Sequence, residues 1–170
     1  MSIREAYRRA ITQARERILL TNAYFLPEIR LLRALIAAAR RGVDVRVVLD
    51  KKEAFQKYGK LNDMRRAKVP VRLMAMGKTG DDQQIRFHHK FMIVDREVVC
   101  TGSFNWTQQA DESNWENEVI FASKKVAAEF KEQFEKAWTG AEEEKEKAPA
   151  GPSTPPRKGL APDAPEGAGG

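Results

Sequence analysis

An α/β fold, with a mixed, mostly parallel sheet flanked by helices on both faces, is predicted by three features of this sequence. Apolar runs of strand character alternate with stretches of helical periodicity through the first half of the chain. The strand runs are Val-rich without clean polar alternation, as in strands buried on both faces. Strand-helix-strand connections close as right-handed crossovers, which set neighbouring strands parallel.

The elements follow in order. Ser2 and Glu5 make a capping-box signature for a helix reaching about Glu16. "RILLTNAYF" (17–25) reads as a strand ended by Pro27. Residues 28–41 place Leu31, Leu32, Leu35, Ile36 and Ala39 on one helical face, and Gly42 supplies the stop. "VDVRVVLD" (43–50) is a buried strand, followed by a basic loop, a short helix near 61–67 and the strand "VPVRLMAM" (69–76). After the polar loop "GKTGDDQQIR", "FHHKFMIV" and "EVVCTG" form a hairpin turning at Asp95-Arg96, and "NEVIFA" (117–122) is the last strand. Ser123 caps a final helix whose Val126, Phe130, Phe134 and Trp138 make an apolar stripe suited to the core.

From Ala141 the composition changes to "AEEEKEKAPAGPSTPPRKGLAPDAPEGAGG", with no aromatic and one Leu. Such a segment cannot bury enough apolar surface to offset its chain entropy. The expected organisation is a domain over 1–140 and a disordered tail over 141–170. The tail's six acids and four bases leave 26 bases against 18 acids in the domain. That excess favours a polyanionic partner, nucleic acid or an anionic lipid surface, and equally serves plain solubility.

Cys100 is the only cysteine, so no intramolecular disulfide forms, and in "VVCT" it reads as a small buried hydrophobe. Two histidines and one cysteine leave a zinc site short of ligands unless carboxylates fill in. No secretory h-region and no membrane-length apolar run is visible, so the default compartment is the cytoplasm and no integral membrane segment is expected.

Both histidines stand together in "HHKFMIVDREVVCTGSFNWT" (88–107). On a strand, residues two apart share a face, so His88 and Lys90 point together while His89 points away with Phe91 and Ile93. His89 is then a core histidine bonded to backbone. An imidazole and an ammonium aimed at one spot suit a phosphate: the ammonium neutralises oxygens while the imidazole attacks or moves a proton. "TGSFN" is not a G-x-S-x-G elbow, and no P-loop or dinucleotide fingerprint is present. Transfer chemistry on a phosphodiester, without a metal, remains.

The run His88-x-Lys90-x₄-Asp95-x₆-Gly102-Ser103-x-Asn105 resembles the HKD signature of the phospholipase D superfamily. Asn114, Glu116 and Asn117 in "NWENEVI" are similar to a segment that accompanies single-motif members, and residues 22–50 resemble the helix-strand unit preceding the motif. The wording is nearest to small bacterial single-motif endonucleases and to mitochondrial cardiolipin hydrolases. The resemblance implies His88 as nucleophile through a phosphohistidine, with Lys90 and Asn105 holding the phosphate oxygens. It implies that Glu116 accepts a hydrogen bond from His88, that Ser103 supports the phosphate site, and that Asp95 is a structural hydrogen-bonding member of the motif. It implies no metal and no cofactor. With one motif per chain, it implies a homodimer whose two-fold axis brings two His88 residues to one site.

Between Lys51 and Lys68 lie seven bases and two acids, after the C-terminal end of a strand where α/β sheets open their crevices. Lys51, Lys52, Arg65 and Arg66 are therefore expected to flank the site as a basic groove, with Tyr58 available for stacking on a base. This charge favours an endonuclease on DNA or RNA. A phospholipase D or cardiolipin hydrolase acting on anionic phospholipid is the alternative. A non-catalytic nucleic-acid-binding dimer is the third reading, and the intact set His88, Lys90, Asn105 and Glu116 argues against it.

Overall fold

The computed structural model describes residues 2–26, 29–54, 61–77, 80–83 and 85–143. Helix α1 (Ile3–Gln13) starts as the sequence predicts, with Ser2 Oγ accepting from the Glu5 backbone N–H at 3.2 Å. The Glu5 carboxylate turns outward to Arg8. Strand β1 (Arg17–Asn22) follows, then a bend at Ala23-Tyr24 and the two-residue β2 (Phe25–Leu26). Helix α2 (Ile29–Arg40) buries Leu31, Leu32, Ala34, Leu35 and Ala38, and Gly42 ends it at φ +90°. Then come β3 (Asp44–Asp50), α3 (Lys51–Ala54), α4 (Leu61–Arg66) and β4 (Val71–Met74). The second half holds β5 (Phe91–Val94), β6 (Val98–Gly102), β7 (Trp106–Thr107), α5 (Gln108–Glu112), β8 (Glu118–Ala122), α6 (Lys124–Gly140) and β9 (Glu142–Glu143).

Seven strands form one sheet in the order β8-β6-β5-β1-β3-β4-β9, while β2 and β7 pair separately. The sheet is mixed, as expected, but its parallel part is smaller than the sequence pattern predicts. Among the described residues of this sheet the β1-β3-β4 ladder is parallel, and β5, β6, β8 and β9 join antiparallel neighbours. The reason lies in the connections. Helix-bearing crossovers link the strands of the first half, whereas β5 and β6 are joined by a tight turn, which permits only antiparallel pairing.

Helices cover both faces. Ile18, Leu20, Val45, Val47 and Leu49 pack towards α1 and α2, and Leu19, Val48, Phe91 and Ile93 pack towards Phe134 and Ala137 of α6. Cys100 is fully buried, and that burial pushes its thiol pKa up to about 12.

Two boundaries differ from expectation. The folded part extends past residue 140: Ala141 is buried, Glu142 pairs with Leu73 in the sheet, and its carboxylate lies 2.6 Å from Lys51 Nζ. The remainder of the expected tail, from residue 144, lies outside the described residues, as do Lys57, Tyr58 and Lys60. The strand expected from Phe87 begins only at Phe91, so His88, His89 and Lys90 form an extended lead-in above the end of the sheet.

Candidate active site

The lead-in is tied down by its neighbours. Strand β5 lies antiparallel to β1, with Phe91 opposite Thr21, so residues 88–90 rise at the C-terminal edge of the parallel strands. The Phe91 N–H donates to Thr21 Oγ1 at 3.3 Å, Thr101 Oγ1 donates to the Lys90 carbonyl at 3.3 Å, and the Phe87 N–H donates to Asp50 Oδ2 at 3.1 Å. Asp50 Oδ1 in turn caps α3 by accepting from the N–H groups of Lys52 and Glu53. Arg86 bonds Glu53 at 2.9 Å and the Tyr24 hydroxyl at 3.0 Å.

His88 and Lys90 share a face as the spacing predicts. Lys90 Nζ lies 3.1 Å from His88 Nδ1 and 3.2 Å from Nε2, and it also donates to the His88 carbonyl. An ammonium against the imidazole nitrogens requires a neutral ring, which has one lone pair to offer. The electrostatics agree: partial burial first, then the positive charges of Lys90 and Arg86, hold the His88 pKa below its ordinary value, with Asp50 opposing. Lys90 is only 9 % exposed, and its pKa is lowered by that burial, which the charge of Glu116 partly offsets.

A second segment closes on this pair. Asn22, at the end of β1, accepts from the Trp106 N–H at 3.2 Å and donates to the Phe104 carbonyl at 3.4 Å, fixing the loop that carries Asn105. Asn105 Oδ1 is buried without a hydrogen-bond partner. Burying an amide end unpaired is costly unless an incoming ligand completes it, and a half-turn of the amide would present its N–H₂ there instead. Ser103 and Asn117 clasp β6 to β8: the Ser103 N–H donates to the Asn117 carbonyl at 3.0 Å, and the Asn117 N–H donates to Ser103 Oγ at 3.1 Å. This clasp needs glycine at 102, because a Cβ there would stand 2.2 Å from the Asn117 carbonyl oxygen.

Glu116 departs from expectation. Its carboxylate accepts from Ser103 Oγ and from Asn114 Nδ2 rather than from His88. The clasp places Ser103 beside it, and the shorter reach prevails. His89 also differs. It is exposed, its ring 4.9 Å from that of Phe87 and 5.8 Å from that of Phe91, because the lead-in has left the cover of the sheet.

Asp95 lies outside the site. It follows β5 as the first residue of the turn, five residues from Lys90, or roughly 16 Å at strand rise. There it adopts φ +54° and accepts from the N–H groups of Arg15, Glu16 and Arg17. Of the expected basic flank, Lys51 and Lys52 sit on the site edge at the end of β3, beside Arg86 and Met76 around a cleft of about 190 Å³. Arg65 and Arg66 do not join them. Both lie on α4, which packs beside β4, with partners Asn62 and Asp63 on the same helix.

Several contributors were missed in the sequence. Asp50, Arg86 and Asn22 act through contacts between segments distant along the chain, and only the placement of Asp50 at a strand end hinted at this. Below the clasp, Glu118 accepts from Tyr7 Oη at 2.5 Å, and burial raises its pKa to about 7.

Comparison with known proteins places this arrangement. The family described as "Cardiolipin synthase, PLD-like domain" matches residues 7–138. The chain is 37 % identical over 120 residues to a phospholipase D of Rickettsia felis, covering 71 % of this chain and 56 % of that protein. It is 38 % identical over 108 residues to a mitochondrial cardiolipin hydrolase of Xenopus laevis, covering 64 % and 48 %. It thus spans about half the length of the curated relatives it matches. Among solved structures, Nuc from Salmonella typhimurium, a phospholipase D family member, superposes with a TM-score of 0.71 at 30 % identity, covering 84 % of this chain and 91 % of that one. The fold, the match over residues 7–138 and these likenesses together show that the chain belongs to the phospholipase D-like family.

Proposed function

We propose that this chain is a phosphodiesterase that works through His88 without a divalent metal, and that its substrate is nucleic acid. The observation that carries the reading is the buried Lys90 ammonium held against a neutral His88 ring. The ammonium gathers a phosphate's negative charge where the ring offers a lone pair to phosphorus. The Asn105 amide, its N–H₂ turned into the site, donates to a non-bridging oxygen, the role an oxyanion site plays, while Ser103, whose hydroxyl proton goes to Glu116, supports the loop beneath it.

The reaction proceeds in two displacements. A His88 nitrogen attacks phosphorus, a P–N bond forms, and the P–O bond to the leaving alcohol breaks. The departing oxygen takes a proton from the partner subunit's His88 across a two-fold axis. Water then attacks phosphorus, the P–N bond breaks, and the water's proton returns to the partner subunit's His88. The phosphate's own charge favours protonation of one imidazole of the pair, against the lowering each feels alone. Glu116, which already acts electrostatically on Lys90, positions Ser103 in this scheme.

Nucleic acid is favoured by the 26 bases against 18 acids in residues 1–140 and by Lys51 and Lys52 at the site edge. The likeness to a phospholipase D and a mitochondrial cardiolipin hydrolase supports the second reading, hydrolysis of anionic phospholipid. Purified protein in millimolar EDTA, offered labelled single- and double-stranded DNA, RNA and cardiolipin vesicles, separates them. Cleavage of a nucleic acid in EDTA is expected; activity abolished by EDTA and restored by magnesium would sink the metal-free mechanism. Activity per chain should fall on dilution if the site is shared between two copies.

A further inference from the structure

We infer that the groove between His89 and α6 is an aromatic subsite for a single unstacked nucleobase next to the scissile phosphate, so that single-stranded nucleic acid is the preferred substrate. This rests on the nucleic-acid reading above and adds a second contact to it. The groove has a volume of about 510 Å³, and Lys90, His89, Phe91, Glu129, Phe130 and Gln133 line it. That volume falls within the range of small-molecule sites and admits a base with its sugar.

The groove exists because residues 88–90 run beyond the sheet, leaving the α6 side of the chain open at that end. Its wall is a fixed array of rings. His89 is wedged against Phe87 and Phe91, and Phe91 meets Phe130 edge-on at 5.1 Å. Partial burial and the neighbouring Lys90 hold the His89 pKa below its ordinary value, so the exposed ring is an uncharged aromatic surface. Base-on-aromatic stacking tolerates any base, because each has a π-face.

The rim selects among flat and flexible apolar ligands. Glu129 and Gln133 stand one turn apart on α6 and offer acceptors and donors to a polar ring edge. A nucleobase has such an edge. An acyl chain has none, and would desolvate both side chains without pairing them. Position completes the argument. His88 and His89 are chain neighbours facing opposite ways, and Lys90 borders both the phosphate position and the groove. A nucleotide straddling this segment sets its phosphate at His88 and its base at His89. In a duplex the base is stacked and paired, and reaching the groove would cost its extrusion.

The test compares two single-stranded oligonucleotides, one unmodified and one with an abasic nucleotide beside the cleavage point. Wild-type kcat/KM is expected to be about tenfold higher with the base present, the lower part of the range measured for stacking. His89→Ala and Gln133→Ala should bring this ratio close to one, and His89→Phe, which keeps a ring, should restore it. Thermal melts exclude misfolding, and two variants on different elements guard against either failing to fold. A wild-type ratio of one, or a ratio that stays near ten in both alanine variants, overturns the subsite while leaving the nuclease reading intact. No cleavage of either strand, with hydrolysis of cardiolipin vesicles by the same preparation, removes both.

Discussion

The two ends of strand β5 belong to one sequence motif and have opposite chemistry. At the Asp95 end the charge of the motif is answered: the carboxylate accepts three backbone N–H groups, and the Asp95 carbonyl accepts from Arg17 Nε at 2.8 Å. At the Lys90 end the groups are crowded yet incomplete: an ammonium against an imidazole, and an amide oxygen buried without a partner. A short run of residues thus holds both an anchor and a reactive edge, and the strand between them transmits position. Satisfied polar groups hold a structure; unsatisfied ones await a ligand.

Substitutions should separate the two ends cleanly. His88→Asn is expected to cost about 10⁴-fold or more in turnover while Tm moves by no more than about 2 °C, measured by phosphodiester hydrolysis and calorimetry. A variant that keeps full activity would remove His88 from the chemistry. Asn105→Ala is next, with a loss of about 10²-fold in kcat. Its stability should hold or rise slightly, because an orphaned acceptor leaves the interior. A large drop in Tm would instead make Asn105 part of the anchor. Asp95→Ala should do the reverse, costing about 3 kcal/mol in urea denaturation while the folded protein turns over within about twofold of wild type.

Glu118 sharpens the contrast through pH. Its pKa is raised from an ordinary 4.5 to about 7, so the folded state holds a proton that the unfolded state has released. Stability from this group is therefore complete below pH 4.5, declines as pH rises to about 7, and is level beyond. Glu118→Gln should flatten that decline in paired denaturation curves at pH 5 and pH 8; an unchanged slope would place the effect elsewhere. The smallest effect expected is at the far edge of the sheet. Chains ending at 143 and at 140 should differ by about 1 kcal/mol, the contribution of buried Ala141 and the β9 pairing.

Much of this was legible in the sequence because it is local. Ser2, Gly42 and Ser123 act within a turn of themselves, and their caps appear where the pattern predicts them. The pointing of His88 and Lys90 to one side needed only strand alternation. The rest depends on which segments meet. Hairpin patterns do not say that β5 pairs with β1, and that pairing makes the sheet less parallel than the Val-rich runs imply. The strand pattern of "FHHKFMIV" reads His89 as core because it continues the strand beneath that residue. The motif resemblance pairs Glu116 with His88, whereas the β6–β8 register brings Ser103 closer. Asp50 and Arg86 carry no motif at all; they enter through a hydrogen bond from the Phe87 N–H to Asp50 and an ion pair from Arg86 to Glu53, both spanning distant segments.

The central position of the β1–β5 ladder has a further consequence for how the protein acquires activity. Thr21 meets Phe91 across a separation of 70 residues, and this contact joins the crossover half to the hairpin half. Closing so long a loop costs entropy that is recovered only when the ladder zips, so the seam forms late relative to α1, α2 and the β5–β6 hairpin. His88 and Lys90 stand directly above that seam. In a refolding experiment, helical circular dichroism should therefore recover ahead of enzymatic turnover, and the lag between them times the closing of the two halves.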